Sequence, residues 1–309
     1  MYDIIGDIHG MAHKLDALLA QIGWRKTTAG WSCDAGDRQL LFLGDFIDRG
    51  PENAAVISTV RSLMDAGKAR AVMGNHEFNA LLFHTIDPET GDPLRARSEN
   101  NMRQHGAFLK DFPLNAPQTR DALGWMHGLP VAFEDEALRA VHACWHRPSI
   151  ELVADQLPGA RLPEDLSLVS ERRNPAMAEA LDIITKGLEA PLPAGASFFD
   201  KDGTERREVR VNWWHPDPQG WRDVAMSAQP DTPLPEGPLP EEIASLSYNS
   251  SKPVFFGHYW LPGEPSIQVT NALCLDFSAG KVGPLVAYRM DQGDEGLLSE
   301  RLVVGEVRA

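Results

Sequence analysis

Short apolar runs in this chain repeatedly end in the same kind of polar residue. Residues 2–8 deliver Asp7-Ile8-His9-Gly10, residues 39–43 deliver Gly44-Asp45-Phe46-Ile47-Asp48-Arg49-Gly50, and residues 69–73 deliver Gly74-Asn75-His76-Glu77. Farther on, residues 138–141 lead into His142-Ala143 and residues 253–256 into Gly257-His258. Helical patterns separate the first three runs: Leu15, Leu18, Leu19 and Ile22 repeat at i, i+3, i+4, i+7 and stop at Gly23, and residues 53–64 carry Ala54, Ile57, Val60, Leu63 and Met64. Strand, helix, strand, helix, strand is a βαβαβ unit, which gathers what its strands deliver at the carboxyl edge of one sheet. The polar residues are thus brought together by topology as well as by type.

Their types suit two divalent cations held against a phosphate. Asp7 and His9 are one residue apart, so on an extended backbone they point to the same face and one cation can take both. Asp45 can bridge two metals, while Asp48 and Arg49 reach around the same pocket. An arginine beside a metal is unfavourable unless an anion comes between them, so Arg49 implies a phosphate-like guest. Asn75 offers a neutral amide oxygen to the second metal, which His142 and His258 complete. His76 is then left for proton transfer near neutral pH.

This ordered set resembles the calcineurin-like metallophosphoesterase superfamily, whose pattern is Asp-x-His, Gly-Asp-x-x-Asp-Arg-Gly, Gly-Asn-His-Glu, a histidine after a strand, and Gly-His. Asp-Arg-Gly-Pro-Glu-Asn at 48–53 and Arg-Ala-Val-Met-Gly-Asn-His-Glu at 70–77 look most like its phosphoprotein-phosphatase branch. That branch includes bacterial and phage serine/threonine phosphatases and symmetrical diadenosine tetraphosphatases. The resemblance implies an α/β fold: a β-sandwich flanked by helices (αββα), with a cap-like insertion. It implies one metal on Asp7, His9 and Asp45 and another on Asp45, Asn75, His142 and His258. It also implies that a metal-bridging hydroxide attacks phosphorus, that His76, positioned by Asp48, protonates the leaving oxygen, and that Arg49 holds the phosphate. Manganese is the first choice of metal, with iron, zinc and nickel admitted by the same ligands.

Two departures stand out. Many relatives end the last motif as Gly-His-x-His, but here it reads Gly257-His258-Tyr259-Trp260. After His142 the family continues with small residues, where this chain has Ala143-Cys144-Trp145-His146-Arg147. Trp145, His146 and Arg147 are expected to shape the substrate mouth, with Arg147 a candidate second phosphate contact.

The 309 residues, 43% hydrophobic and 24% charged, suffice for one large core, and we expect a single domain with an insertion at about 150–251. The insertion carries a helix at 175–188, a polar patch at 200–208, Trp213-Trp214 expected in the core rather than on a nucleobase, and an extended proline run at 230–240. Residues 267–275 and 285–288 are expected to pair as antiparallel strands. A formal net charge of -15 argues against nucleic acid and anionic membrane as partners, and a DNA nuclease is disfavoured by that charge together with the missing second histidine of the last motif. Cys33, Cys144 and Cys274 lack any metal or disulfide spacing and read as small buried hydrophobes. No leader or spanning run is visible, so a cytoplasmic location is expected.

The leading functional expectation is phosphomonoester hydrolysis of the serine/threonine protein phosphatase type. A dinucleoside polyphosphate hydrolase is the close alternative, and a small phosphorylated metabolite would present the same chemistry. A non-catalytic scaffold of the same fold is the rival of another class, and the retention of His76 with every expected ligand speaks against it.

Overall fold

The computed structural model describes the chain apart from residues 29, 200–204, 227, 229–230, 245, 295 and 307–309. Its core strands are β1 (Tyr2–Ile5), β2 (Gln39–Phe42), β3 (Ala69–Ala71), β4 (Ala132–Glu134), β5 (Arg139–Val141), β6 (Val254–Phe256), β7 (Ala272–Cys274), β8 (Val286–Met290) and β9 (Leu302–Val304). One sheet has the order β9-β8-β1-β2-β3, the other β7-β6-β5-β4. Within the first, β1, β2 and β3 run parallel, as the βαβαβ pattern requires. In the second, β5, β6 and β7 are parallel and β4 is antiparallel at the edge.

Side chains alternate along these strands and so divide the interior in two. Ile4, Leu41, Val72, Ala140, Phe255, Leu273 and Tyr288 belong to a cluster shared by the two sheets alone. Their neighbours Ile5, Phe42, Met73, Val141, Phe256 and Cys274 face a second cluster that includes the flanking helices. Each large aliphatic or aromatic side chain buried this way contributes about 1.5–3 kcal/mol. The result is the expected sandwich with helices outside.

The helices are α1 (Ala12–Gln21), α2 (Asn53–Asp65), α3 (Asn75–His84), α4 (Glu99–Gln104), α5 (Gly106–Asp111), α6 (Pro117–His127), α7 (Arg147–Gln156) and α8 (Pro175–Lys186), beside short turns elsewhere. In α8 the Asn174 Oδ1 accepts from Met177 N at 3.2 Å, Pro175 fills the first turn, and Gly187 leaves the helix at φ 83°. The helix therefore stops just short of the expected 188. No helix among the described residues is long and apolar enough to cross a membrane.

Two expectations change. Residues 272–274 lie parallel to β6, and 286–290 lie antiparallel to β1 in the other sheet, so the expected antiparallel pair does not form. Alternation reports which face of a strand is buried and not which strand lies beside it, and β1 has an edge to be covered. A hairpin of Trp24–Thr27 with Gly30–Cys33 adds to the expected elements; Trp24 Nε1 donates to the buried Asp3 at 2.9 Å.

Within the insertion, Ala190, Phe198, Val209, Val211, Trp221 and Ile243 form a small apolar cluster of their own. Trp213 and Trp214 instead join the main core against Phe256, and Trp213 Nε1 donates to Ala143 O at 3.0 Å. They pack, as expected. Residues 200–204 of the polar patch and Pro230 lie outside the described residues. Cys144 and Cys274 are buried, whereas Cys33 is only partly so.

One lysine ties α1 to the loop behind the site. Lys14 Nζ donates to the carbonyls of Ala279, Lys281 and Gly283 at 2.7, 3.0 and 2.8 Å. In that loop a Cβ on Gly280 would come within 2.8 Å of the His9 ring. Replacing Lys14 with Met keeps the stem but strands three carbonyls, and we expect a loss of about 1–3 kcal/mol in urea denaturation. An unchanged midpoint would show that water replaces the ammonium there without cost.

Candidate metal centre

The strand exits converge on one point. Asp7 and His9 follow β1, Asp45 follows β2, Asn75 opens α3 after β3, His142 follows β5 and His258 follows β6. Donor atoms of Asp45, His142 and His258 lie within 4.8 Å of one another, and so do those of His9, Asp45 and His76. Asp45 is common to both groups, and all five residues are buried.

The backbone is bent hard to achieve this. Among the described residues, nine non-glycine residues have positive φ, and six of them are His9, Asp45, Asp48, Arg49, His258 and Trp260. Each such conformation costs about 1–3 kcal/mol, and such costs concentrate at functional sites. Glycine is needed where carboxylates press on the chain: a Cβ on Gly257 would sit 1.9 Å from Asp7 Oδ1, and one on Gly74 would sit 2.2 Å from Asp45 Oδ1.

Hydrogen bonds fix the loops from behind. Glu77, fully buried, accepts from Asp45 N at 2.8 Å, Phe46 N at 2.8 Å and Gly74 N at 3.0 Å. Asn53 accepts from Asp48 N at 2.6 Å and donates to Gly50 O at 2.8 Å, which staples the turn bearing Asp48 and Arg49. His76 N, in the first turn of α3, donates to Asp45 Oδ1 at 2.9 Å.

The unsatisfied atoms test whether cations belong here. His9 Nδ1 lies 3.1 Å from Ile47 O and His142 Nδ1 lies 2.7 Å from Leu43 O; a carbonyl only accepts, so both Nδ1 atoms donate and both Nε2 atoms are left for a ligand. His9 Nε2 faces Asp7 at 3.9 Å and Asp45 at 3.6 Å without a hydrogen bond, and Asp7 Oδ1 and His258 Nε2 are likewise buried without a partner. His142 Nε2 stands 3.4 Å from Asp45 Oδ2, and Asn75 Oδ1 lies 3.1 Å from His142 Nε2 and 2.8 Å from His258 Nδ1. These are the spacings of donors converging on a shared cation.

Charge tells the same story. Burial, then the charge of Asp276, pushes the Asp7 carboxyl well above its ordinary range. Burial would lower His142, yet the charges of Asp45 and Asp7 raise it to about 10, so a proton sits where the site lacks positive charge. Burial takes His9 down to about 4, which leaves its Nε2 lone pair available. Orphaned donors, crowded carboxylates and neutral imidazole all fit divalent metal.

Beside this lies a hydrogen-bonded chain. His76 Nδ1 donates to Asp48 Oδ2 at 2.6 Å, His105 Nδ1 donates to Asp48 Oδ1 at 3.0 Å, and His105 Nε2 lies 3.2 Å from His84 Nε2. Burial opposes ionisation of Asp48, but hydrogen bonds from His105 and His76 outweigh it and hold its carboxyl at about 2. Burial likewise opposes protonation of His76, and the charge of Asp45 followed by the Asp48 hydrogen bond raises it. His105 carries no sequence motif; only the tertiary fold around α5 reveals it.

The site opens into a cavity of about 1380 Å³. Arg49 is exposed there with its guanidinium 5.2 Å over the Trp260 ring, and Lys281 Nζ lies 4.5 Å from the same ring. Arg95, Arg206, Arg207 and Arg210 line the walls, the last three brought in by the insertion. Trp145, His146 and Arg147 do not line it: Arg147 begins α7 on the surface, paired with Glu151 at 2.7 Å, and His146 bonds Ser149 at 2.8 Å. The turn into α7 carries them away from the mouth, and Arg210 reaches it instead. Trp260, named in the sequence only for the histidine it replaces, packs with its ring tilted 40° to that of His9 at 5.5 Å between centroids.

A family model for calcineurin-like phosphoesterases matches residues 2–171, more than half of the chain. An asymmetrical bis(5'-nucleosyl)-tetraphosphatase PrpE of Anoxybacillus flavithermus is 44% identical over 130 residues, 38% of this chain and 51% of that protein. A symmetrical bis(5'-nucleosyl)-tetraphosphatase of Hamiltonella defensa is 30% identical over 172 residues, 52% of this chain and 53% of that protein. The chain thus spans about half the length of the curated relatives it matches. A solved cold-active protein tyrosine phosphatase superposes with a TM-score of 0.51 at 16% identity, covering 93% of this chain and 73% of that one, which is a likeness of fold.

Strain at Arg49 can be measured without any substrate. Arg49→Gly and Arg49→Ala both lose the stacking on Trp260, and only the glycine is at ease at φ 61°. We expect the glycine variant to be more stable in urea by up to about 1 kcal/mol. Equal stability, or alanine ahead, would mean that the turn relaxes without strain.

Proposed function

The chain belongs to the calcineurin-like phosphoesterase family, and from its site we propose that it is a dinuclear metal-dependent hydrolase of nucleoside polyphosphates, of the dinucleoside tetraphosphate class. The observation that carries this reading is the pair of donor groups sharing Asp45 at the floor of a wide cavity whose walls bear Arg49, Arg95 and Arg210. That cavity, at about 1380 Å³, exceeds the roughly 300–1,000 Å³ of an ordinary small-molecule pocket. Relatives named as bis(5'-nucleosyl)-tetraphosphatases support the same choice of substrate. The protein-phosphatase reading keeps the same chemistry at the floor but leaves Arg95, which has no carboxylate partner among the described residues, without a purpose.

Asp7, His9 and Asp45 would hold one cation, and Asp45, Asn75, His142 and His258 the other. Bound there, two divalent cations supply positive charge for phosphoryl oxygens and acidify water. The chain's own groups do the rest. Arg49, with no carboxylate partner among the described residues, offers its donors to a phosphoryl group from its seat on Trp260. Arg210 takes the place of the second arginine that the sequence did not reveal, close enough for its charge to depress His258 after burial has done so. Asp48 accepts from His76 Nδ1 and so directs Nε2 outward, where it gives its proton to the leaving oxygen. Residues 150–251 act as a cap on a single domain, bringing Arg206, Arg207 and Arg210 to the cavity wall together with Glu189, Glu205 and Glu208.

The direct test is product analysis from manganese-loaded protein given diadenosine tetraphosphate and a phosphothreonine peptide side by side. Nucleotide products in preference to peptide dephosphorylation are expected, and the reverse preference would restore the protein-phosphatase reading. His76→Ala should retain its metal content by elemental analysis and lose about a hundredfold or more in kcat. Asp45→Asn should lose both metal and turnover. Full activity in either variant would reject the role proposed for that residue.

A further inference from the structure

Arg95 lies on the core side of the cavity, and no sequence motif announces it. Its guanidinium is half-buried; Nη1 donates to Asn79 Oδ1 at 3.0 Å and Nη2 donates to Asn101 Oδ1 at 2.9 Å. Both partners are neutral amides, and no carboxylate of the described residues lies within ion-pair distance. Burial is the main influence on this group, with Asp182 and Asp48 acting on it only through their charges. Other half-buried arginines among the described residues are answered directly: Arg139 by Glu134 at 3.1 Å, Arg289 by Asp3 at 3.1 Å, Arg301 by Asp294 at 3.1 Å. A guanidinium removed from water and held in place by two amides, with remaining donors toward a cavity, is arranged for an anion that arrives from outside.

The neighbours define where that anion sits. Arg95, Asn79, Asn101 and His105 line the same cavity as Arg49 and His76. Asn79 follows His76 by one turn of α3, and Asp48, which accepts from His76, acts on Arg95 through its charge, so Arg95 stands on the flank of the proton-donating side. A group bound there belongs to the departing part of the substrate. We infer that Arg95, held by Asn79 and Asn101, forms a subsite for a second phosphoryl group of a polyphosphate substrate, next to the one undergoing attack. This rests on the phosphoesterase reading and adds to it a reason for preferring anhydrides over monoesters.

Two ligands separate the subsite from the centre it adjoins. Orthophosphate fills the position of the attacked group alone, and methylenediphosphonate adds a second phosphoryl group that cannot be hydrolysed away. Calorimetric titration of each into manganese-loaded wild type, Arg95→Met and Arg95→Lys should show about tenfold or greater weakening of the diphosphonate in Arg95→Met. Orthophosphate should change less than about twofold, and Arg95→Lys, which keeps charge without the fork, should fall between. Chelation of free manganese affects all three proteins equally and cancels in the comparison. Equal weakening of both ligands, or no change in either, would overturn the subsite while leaving the metal centre intact. Failure of wild type to bind orthophosphate would instead overturn the phosphoesterase reading itself, and the subsite with it. If Arg95→Met does not fold, as judged by its thermal melt, the Arg95→Lys ratio alone decides between these outcomes.

Discussion

Asp45 is the point on which the structure turns. Its carboxylate is buried, receives His76 N at 2.9 Å, and faces the Nε2 atoms of His142, His9 and His76 at 3.4, 3.6 and 3.9 Å. Burial opposes its charge, and surrounding histidines, His142 foremost, nevertheless hold it well below the ordinary carboxylate range. A desolvated anion in this position is tolerable only among positive charges. Three strands must therefore end within reach of one carboxylate, and each must turn aside at once to avoid its neighbours. The left-handed residues at 9, 45, 48, 49 and 258, and the glycines that carry no side chain at 74 and 257, are consequences of that convergence.

Because the turns are strained, something else must hold them, and polar side chains of the next layer do so. Glu77 binds three backbone N–H groups from two loops, Asn53 braces the turn of Asp48, and Lys14 gathers the three carbonyls behind His9. None of these reaches the cavity in the way a ligand would. Their work is to keep donor atoms within the few tenths of an ångström that a metal requires.

What was legible in the sequence follows the same division. The strands, their helices and the polar exits could be read because periodicity and turn glycines are local signals, and the donors named from them do meet in space. The partner of β8 could not be read, since alternation is indifferent to which edge a strand covers. Arg95 and His105 escaped for a related reason: no motif marks either of them, and each reaches the site through a fold made of distant contacts, whereas Trp260, two residues after His258, stands out only for the histidine it replaces. Arg147 misled because it follows His142 closely in sequence, whereas the chain turns into α7 before it could reach the mouth. Arg210, nearly seventy residues after His142, ends a short strand, Glu208–Arg210, that pairs with Glu189–Pro191; it has no motif of its own and arrives where Arg147 was expected.

The histidine chain running from His76 gives this layer a direction. At its far end His84 is pushed down to about 4 by burial, then by the charges of His105 and Arg97, so it stays neutral near pH 7. Its Nε2 lies against His105 Nε2, while His105 Nδ1 donates to one oxygen of Asp48 and His76 Nδ1 to the other. The imidazoles on both sides of Asp48 thus aim their Nδ1 donors at it. Asp48, held at about 2, is far too weak a base to take the Nδ1 proton it accepts, so the added proton on His76 remains at Nε2, on the cavity side. The acid proposed for the leaving oxygen is thus kept in one orientation by groups that never touch the substrate.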